Sequence, residues 1–206
     1  MITKWGLAAV EKAEREAALG KKPSQPGLEV QPPRPAKNVG AFKPDKTTNT
    51  VKALADGLGG TPEEKQFVTA TFQAAKQAFE AQPETKAWRH NVAGALAFFI
   101  AGNVTLYQGA EEPSHQASQA LFQAINQTID EAPEFATMSN KDKQTLYELL
   151  IGFTALPLAI AAEAKEKKDA HGALAARAMS GELIRLVLKV DPALLRIENG
   201  AFVFGK

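Results

Sequence analysis

The 206-residue sequence contains no cysteine. That absence excludes disulfide frameworks, thiol nucleophiles and thiolate metal sites together. It suits the periplasm or the bacterial cell surface, where a cysteine-free chain avoids mispaired disulfides, although cytosolic chains lack cysteine too. On this reading a periplasmic or secreted location is favoured. An excess of one charge sign is also missing. With 24 Lys+Arg against 23 Asp+Glu the formal net charge is +1. No overall field draws the molecule toward nucleic acid or an anionic membrane. Aromatic residues make up only 7%, and strand-like runs of β-branched residues are scarce, which argues against all-β and doubly wound α/β folds. Long apolar runs are lacking as well. Val92–Ala101 and Ile151–Ala162 fall short of the ~18 consecutive apolar residues that suggest spanning, so no membrane span is expected. The first twelve residues hold no signal-peptide core, because charges interrupt them from Glu11 onward.

What is abundant is alanine, at 37 positions, within a chain that is 45% apolar. Alanine loses no side-chain entropy on entering a helix, and this apolar fraction is enough for a real core. The expected fold is all-α, a bundle of five to six helices with a small C-terminal β-hairpin and an N-terminal helix on a proline-rich linker.

Three regions follow from composition. Residues 1–20 hold a short helix over 4–19, with Leu7, Val10, Ala13 and Ala17 as an apolar stripe and Gly20 as its stop. Residues 21–46 carry six of the twelve prolines and a net charge of +4, which reads as a basic, extended linker of polyproline character. Residues 47–206 form the helical body, with 15 basic and 18 acidic residues.

Within the body a short element, Asn49–Asp56, precedes Thr61-Pro62-Glu63-Glu64, a capping box with proline at the first helical position. Val68, Phe72, Ala75 and Phe79 then mark one buried face. A helix is expected from about Thr85 to Tyr107. It is apolar almost all round, which places it at the bundle centre. Gly94, Ala97 and Ala101 would let neighbours approach closely. Pro113–Glu131 reads as the next helix, with Ala117, Leu121, Ile125 and Ile129 four apart. Ser139 and Asp142 start another, running past a kink at Pro157 to about Lys165. The last helix spans about Ala170–Lys189, with Leu174, Ala178, Gly181, Ile184 and Leu188 inward. Asn199-Gly200, between Leu195–Glu198 and Ala201–Phe204, predicts a tight I′ hairpin over 195–204.

Chemical motifs are scarce. Glu112 and His115 have the spacing of half a di-iron carboxylate site, but no second half exists, so they decorate a helix start. His90, His115 and His171 stand apart from acidic clusters, and no metal or cofactor is expected. The glycines of Asp56–Gly60 lack a preceding strand and a following Lys-Ser/Thr, so they are a helix stop and not a phosphate loop. No catalytic constellation can be assembled, and an enzyme is not expected.

His90-Asn91-Val92-Ala93-Gly94-Ala95-Leu96-Ala97-Phe98-Phe99, Leu146-Tyr147-Glu148-Leu149-Leu150-Ile151-Gly152 and Leu188-Lys189-Val190-Asp191-Pro192 together resemble a family of bacterial, usually exported helical domains of unknown function. The resemblance covers roughly residues 61–200. It implies an exported helical protein and brings no activity or catalytic residue.

The feature a self-sufficient globule does not need is the arm, residues 1–46. The expected function is therefore a non-enzymatic interaction or structural subunit of a bacterial envelope or secreted assembly. It would bind a protein partner or a second copy through that arm. Trp5, Leu7, Val10, Arg34 and Phe42 are the candidate contacts. The alternative is a helical binding protein holding an apolar small molecule between the 85–107 and 140–165 helices.

Overall fold

The computed structural model describes residues 36–205. Among them are seven α-helices and one two-stranded hairpin, in agreement with the all-α expectation. Five long helices carry the bundle: α2 (Pro62–Ala81), α3 (Val92–Gln108), α4 (His115–Asp130), α6 (Asn140–Lys167) and α7 (Ala170–Leu188). Two short ones, α1 (Thr50–Leu58) and α5 (Pro133–Thr137), raise the number above the five to six expected. Pro133 explains α5, because proline that stops one helix is also preorganised to begin the next. The predicted N-terminal helix lies outside the described residues.

The helix starts are set by local chemistry. The Thr61 hydroxyl accepts from the Glu64 N–H at 3.1 Å, and the Glu64 carboxylate accepts from the Thr61 N–H at 2.9 Å. This is the reciprocal box expected for α2. Those backbone donors, Thr61 first and Gly60 next, hold the Glu64 carboxyl below its ordinary range. Ser114 and Ser139 accept from the N–H groups of Ala117 and Asp142 in the same way, so α4 begins at His115, two residues after Pro113.

The centre of the bundle is α3. Val92, Ala93, Ala95, Leu96, Ala97, Phe99, Ile100 and Val104 are all buried, which leaves it apolar around most of its circumference. It packs against α6, α7, α4 and the hairpin. Each large apolar side chain so enclosed contributes about 1.5–3 kcal/mol. The expected helix from Thr85 is interrupted, and this is a correction to the continuous reading. Pro83–Trp88 forms a 3-10 turn, and α3 starts only after Asn91, whose side chain accepts from the Ala93 N–H at 2.9 Å. His90 takes φ +51°, which turns the chain between the two pieces.

Helices meet closely where glycine allows it. A Cβ on Gly152 of α6 would fall inside the Phe72 ring of α2, and one on Gly102 of α3 would strike Thr154 of α6. Pro157 sits inside α6 without ending it. By length and composition α6 is long and apolar enough to cross a membrane. In this fold it packs against α2, α3 and α7 and buries Lys143, Gln144 and Glu148 among its apolar residues.

On α7 the inward line is Ala176, Ser180, Gly181, Ile184 and Leu188. Leu174, expected inward, is 64% exposed, and Ala178 is exposed too. The face that meets α3 and α6 is centred on Ala176 and Ser180, and Leu174 lies off it.

The hairpin forms as its turn predicts. β1 (Leu195–Glu198) pairs antiparallel with β2 (Ala201–Phe204), and both Asn199 and Gly200 have positive φ. Its other edge is closed by a side chain. Gln108 donates from Nε2 to the Leu195 carbonyl at 2.6 Å, and its Oε1 accepts from the Ile197 N–H at 3.0 Å. The amide thus pairs as a peptide group of a third strand would.

Two glycines are expected to separate packing from propensity. Gly152→Ala should lower unfolding free energy by about 1–3 kcal/mol through overpacking. Gly57→Ala, with nothing within 4 Å of the added methyl, should raise it by about 0.5–1 kcal/mol through helix propensity. Urea unfolding of both variants checks the pair, and equal effects would sink the argument.

Candidate functional site

Residues 37–45, expected as part of an extended, proline-rich linker, form a strap along the bundle. Its first residues meet the C-terminal end of α4. The Asp130 carboxylate accepts three backbone N–H groups, from Lys37 at 2.7 Å, Asn38 at 3.2 Å and Val39 at 2.7 Å. Asn38, at φ +53°, begins a turn in which the Ala41 N–H reaches the Asn38 carbonyl at 2.9 Å. Asparagine tolerates this left-handed conformation better than most residues.

The middle of the strap forms an antiparallel bridge with the chain just before α3. The Val92 N–H donates to the Gly40 carbonyl at 3.0 Å, and the Phe42 N–H donates to the His90 carbonyl at 2.9 Å. Gly40 is buried with no room for a side chain. An added Cβ would meet Asn91 Oδ1 at 2.8 Å and Ile129 at 3.2 Å. Three asparagines tie this region laterally. Asn126 donates to Asn38 Oδ1 at 3.0 Å, and Asn91 donates to Asn126 Oδ1 at 3.3 Å, with Asn91 and Asn126 both buried.

Phe42 enters the core. It is only 8% exposed, edge-on to the Tyr147 ring at 5.2 Å and tilted against His90 at 5.7 Å. Burial is the first reason that the Tyr147 phenol is pushed far above its ordinary range, and the Glu80 charge beside it the second. The phenol is therefore a neutral donor, and it bonds Glu80 Oε1 at 3.0 Å. Beyond Phe42 the strap runs along α6. The Lys43 N–H donates to Asn140 Oδ1 at 3.2 Å, and the Asp45 N–H to Gln144 Oε1 at 2.6 Å. Gln144 in turn donates to Thr48 and to Glu148 Oε1, the oxygen that also holds Lys76 at 2.6 Å. A buried carboxylate is sustained here by a cation and an amide together.

The predicted contact residues separate accordingly. Trp5, Leu7, Val10 and Arg34 lie outside the described residues. Phe42 is placed in the chain's own core, so its ring is not presented to a partner in this arrangement. The groove residues Asn91, Asn126, Asp130, Asn140 and Gln144 were missed. Their signal is faint: polar residues on otherwise apolar helix faces, opposite a lone Val-Gly-x-Phe in a polar stretch. Among the described residues no group of three or more His, Asp or Glu is placed to hold a metal ion. His115 and His171 are exposed at the starts of α4 and α7, and His90 Nε2 lies 3.7 Å from Glu80 Oε1.

Loss of the Asp130 carboxylate in Asp130→Ala is expected to cost about 1–2 kcal/mol, and Phe42→Ala about 3–5 kcal/mol. Amide exchange should accelerate at Lys37, Asn38 and Val39 in the first variant while α3 stays protected. Unchanged exchange there would contradict the anchor.

The turn after the strap carries a pH signature. The Thr47 hydroxyl and then its N–H, both on Asp45 Oδ1 at 2.7 and 2.8 Å, hold the Asp45 carboxyl below its usual range. A depressed folded value means that the ionised carboxylate stabilises the turn above about pH 4, and that this is lost as pH falls through the folded value. Thr47→Ala should move the Asp45 titration upward in a carbon-detected NMR experiment; an unmoved midpoint would refute the assignment.

No curated protein and no solved structure matches the chain. A family described as being of unknown function (DUF6683) matches residues 10–205, well beyond the 61–200 covered by the resemblance of the helical motifs. The chain, from the arm through the strap and bundle to the hairpin, belongs to that family.

Proposed function

We propose that the protein is a non-enzymatic interaction or structural subunit that docks through its N-terminal arm, in a bacterial envelope or secreted assembly. The observation that carries this reading is the anchorage of residues 37–45. Five backbone donors of the strap are matched by side-chain acceptors on α4 and α6. A passive spacer has no need of such a clamp. A docking element gains from one, because a fixed point of departure reduces the freedom lost when the arm engages a partner. The preceding residues carry chemistry suited to a protein groove. Pro32-Pro33-Arg34-Pro35 has the composition of proline-rich ligands that dock in aromatic-lined grooves, with a cation among the prolines. The absence of cysteine suits an oxidising compartment.

The reading of an apolar small molecule between α3 and α6 has less support. Gly102 of α3 faces Thr154 of α6 without room for a methyl group.

The test is affinity capture from the native organism, comparing the full chain with residues 36–206. The cut falls before the strap, so Phe42 stays in the core. A partner retained by the full chain and lost by the shortened one is the expected result. Identical captures by both would overturn the reading.

A further inference from the structure

We propose that the groove formed by the N-terminal end of α3, the C-terminal end of α4 and the first half of α6 is a peptide-recognition site, and that it also accepts, in trans, the 37–45 strap of a second copy of this chain. This deepens the arm-docking reading by naming one partner. It rests on that reading only for the arm's role, and capture of a foreign partner through residues 1–35 can fail without it.

The mode of contact is that of extended-peptide recognition. Backbone N–H groups of Lys37, Asn38, Val39, Lys43 and Asp45 meet side-chain acceptors, and Gly40 and Phe42 form a two-bond bridge with His90 and Val92. Main-chain contacts of this kind supply affinity, and pockets supply selectivity. Selectivity here resides at two positions. Residue 40 must be glycine, since a Cβ would press on Asn91 and Ile129, and residue 42 must fill the site lined by Tyr147 and His90. Asn38 adds a third reading through Asn126. The segment that satisfies this pattern is Asn38-Val39-Gly40-Ala41-Phe42, and every copy of the chain brings one.

The strap is also detachable as a unit. Apart from the Ala41 N–H bond to the Asn38 carbonyl within it, its hydrogen bonds run to residues at least 48 positions away, except at the turn where Asp45 holds Thr47 and Thr48. Lys46 and Thr47 in that turn are exposed. Opening the turn swings residues 37–45 away and leaves each groove free for the other chain's strap. Exchange of an identical element restores every contact in both copies, which makes it a low-cost route to a dimer. In the closed monomer the tethered strap competes at millimolar effective concentration, so exchange emerges when the turn is opened.

The test uses the full chain with Thr47→Pro. Proline removes the Thr47 N–H and biases Lys46 toward extended backbone, so the turn opens. Light scattering is expected to give about twice the monomer mass. Excess peptide of residues 36–46 should dissolve this dimer to monomers, while the same peptide with Phe42→Ala should be weaker by about tenfold or more. Asp45→Ala opens the turn without proline and serves if the first variant folds poorly. A monomer for both variants at every concentration overturns the proposal, and so does a dimer that the wild-type peptide does not dissolve.

Discussion

A helix with no polar face has to be surrounded, and α3 imposes that requirement on everything near it. Its side chains from Val92 to Val104 are buried on nearly all sides. Exposing such a surface would forfeit the transfer free energy of each side chain, about 25 cal/mol per Å² of apolar area. The helices α4, α6 and α7 and the hairpin therefore arrange themselves around it. Small residues set how near they come. Where Gly102 meets Thr154 and Gly152 meets Phe72, the absent side chain is the space the neighbour occupies.

Polar groups inside such a core need partners, and the strap and α6 answer that need jointly. Gln144 accepts from the Asp45 backbone and donates to both Thr48 and Glu148, so one side chain connects the strap, the start of α1 and the ion pair with Lys76. Asn126 makes a similar connection between Asn38 and Asn91. Each link satisfies a group whose burial would otherwise cost about 1–3 kcal/mol. The strap is consequently part of the domain's interior order, and the place where the arm departs is set by α4 and α6.

Much of the helical framework was readable in the residues because its signals are local. The box at Thr61 and Glu64, the caps at Ser114 and Ser139 and the Asn-Gly turn at 199–200 depend on neighbours within four positions. The break before α3 was not readable, because Arg89-His90-Asn91 continues an apparently helical pattern, whereas His90 turns the chain at positive φ and Asn91 is held extended by a bridge to Ala41, fifty residues earlier. The docking of the strap on its own bundle was not readable for the same reason. Proline and lysine around residues 32–46 describe a solvated linker, while the acceptors that capture it, Asp130, Asn140 and Gln144, lie 90 or more residues onward. Leu174 shows the converse: its spacing placed it on the inward line, and tertiary packing centred that line elsewhere.

The two ends of α3 are finished by distant parts of the chain. At its start the Val92 N–H is taken by Gly40, from the strap. At its end Arg177 of α7 donates to the carbonyls of Tyr107 and Gln108, and the Gln108 side chain is held by β1. Helix ends ordinarily fray, since four donors and four acceptors there lack partners within the helix. Here unravelling either end requires releasing a segment about fifty to ninety residues away in sequence. Each terminal turn of this helix is therefore tied to residues that lie far from it along the chain. The bundle's most buried helix is thus closed at both ends by the first and last described segments, and release of the strap would uncover its first turn while the hairpin and Arg177 still hold its last.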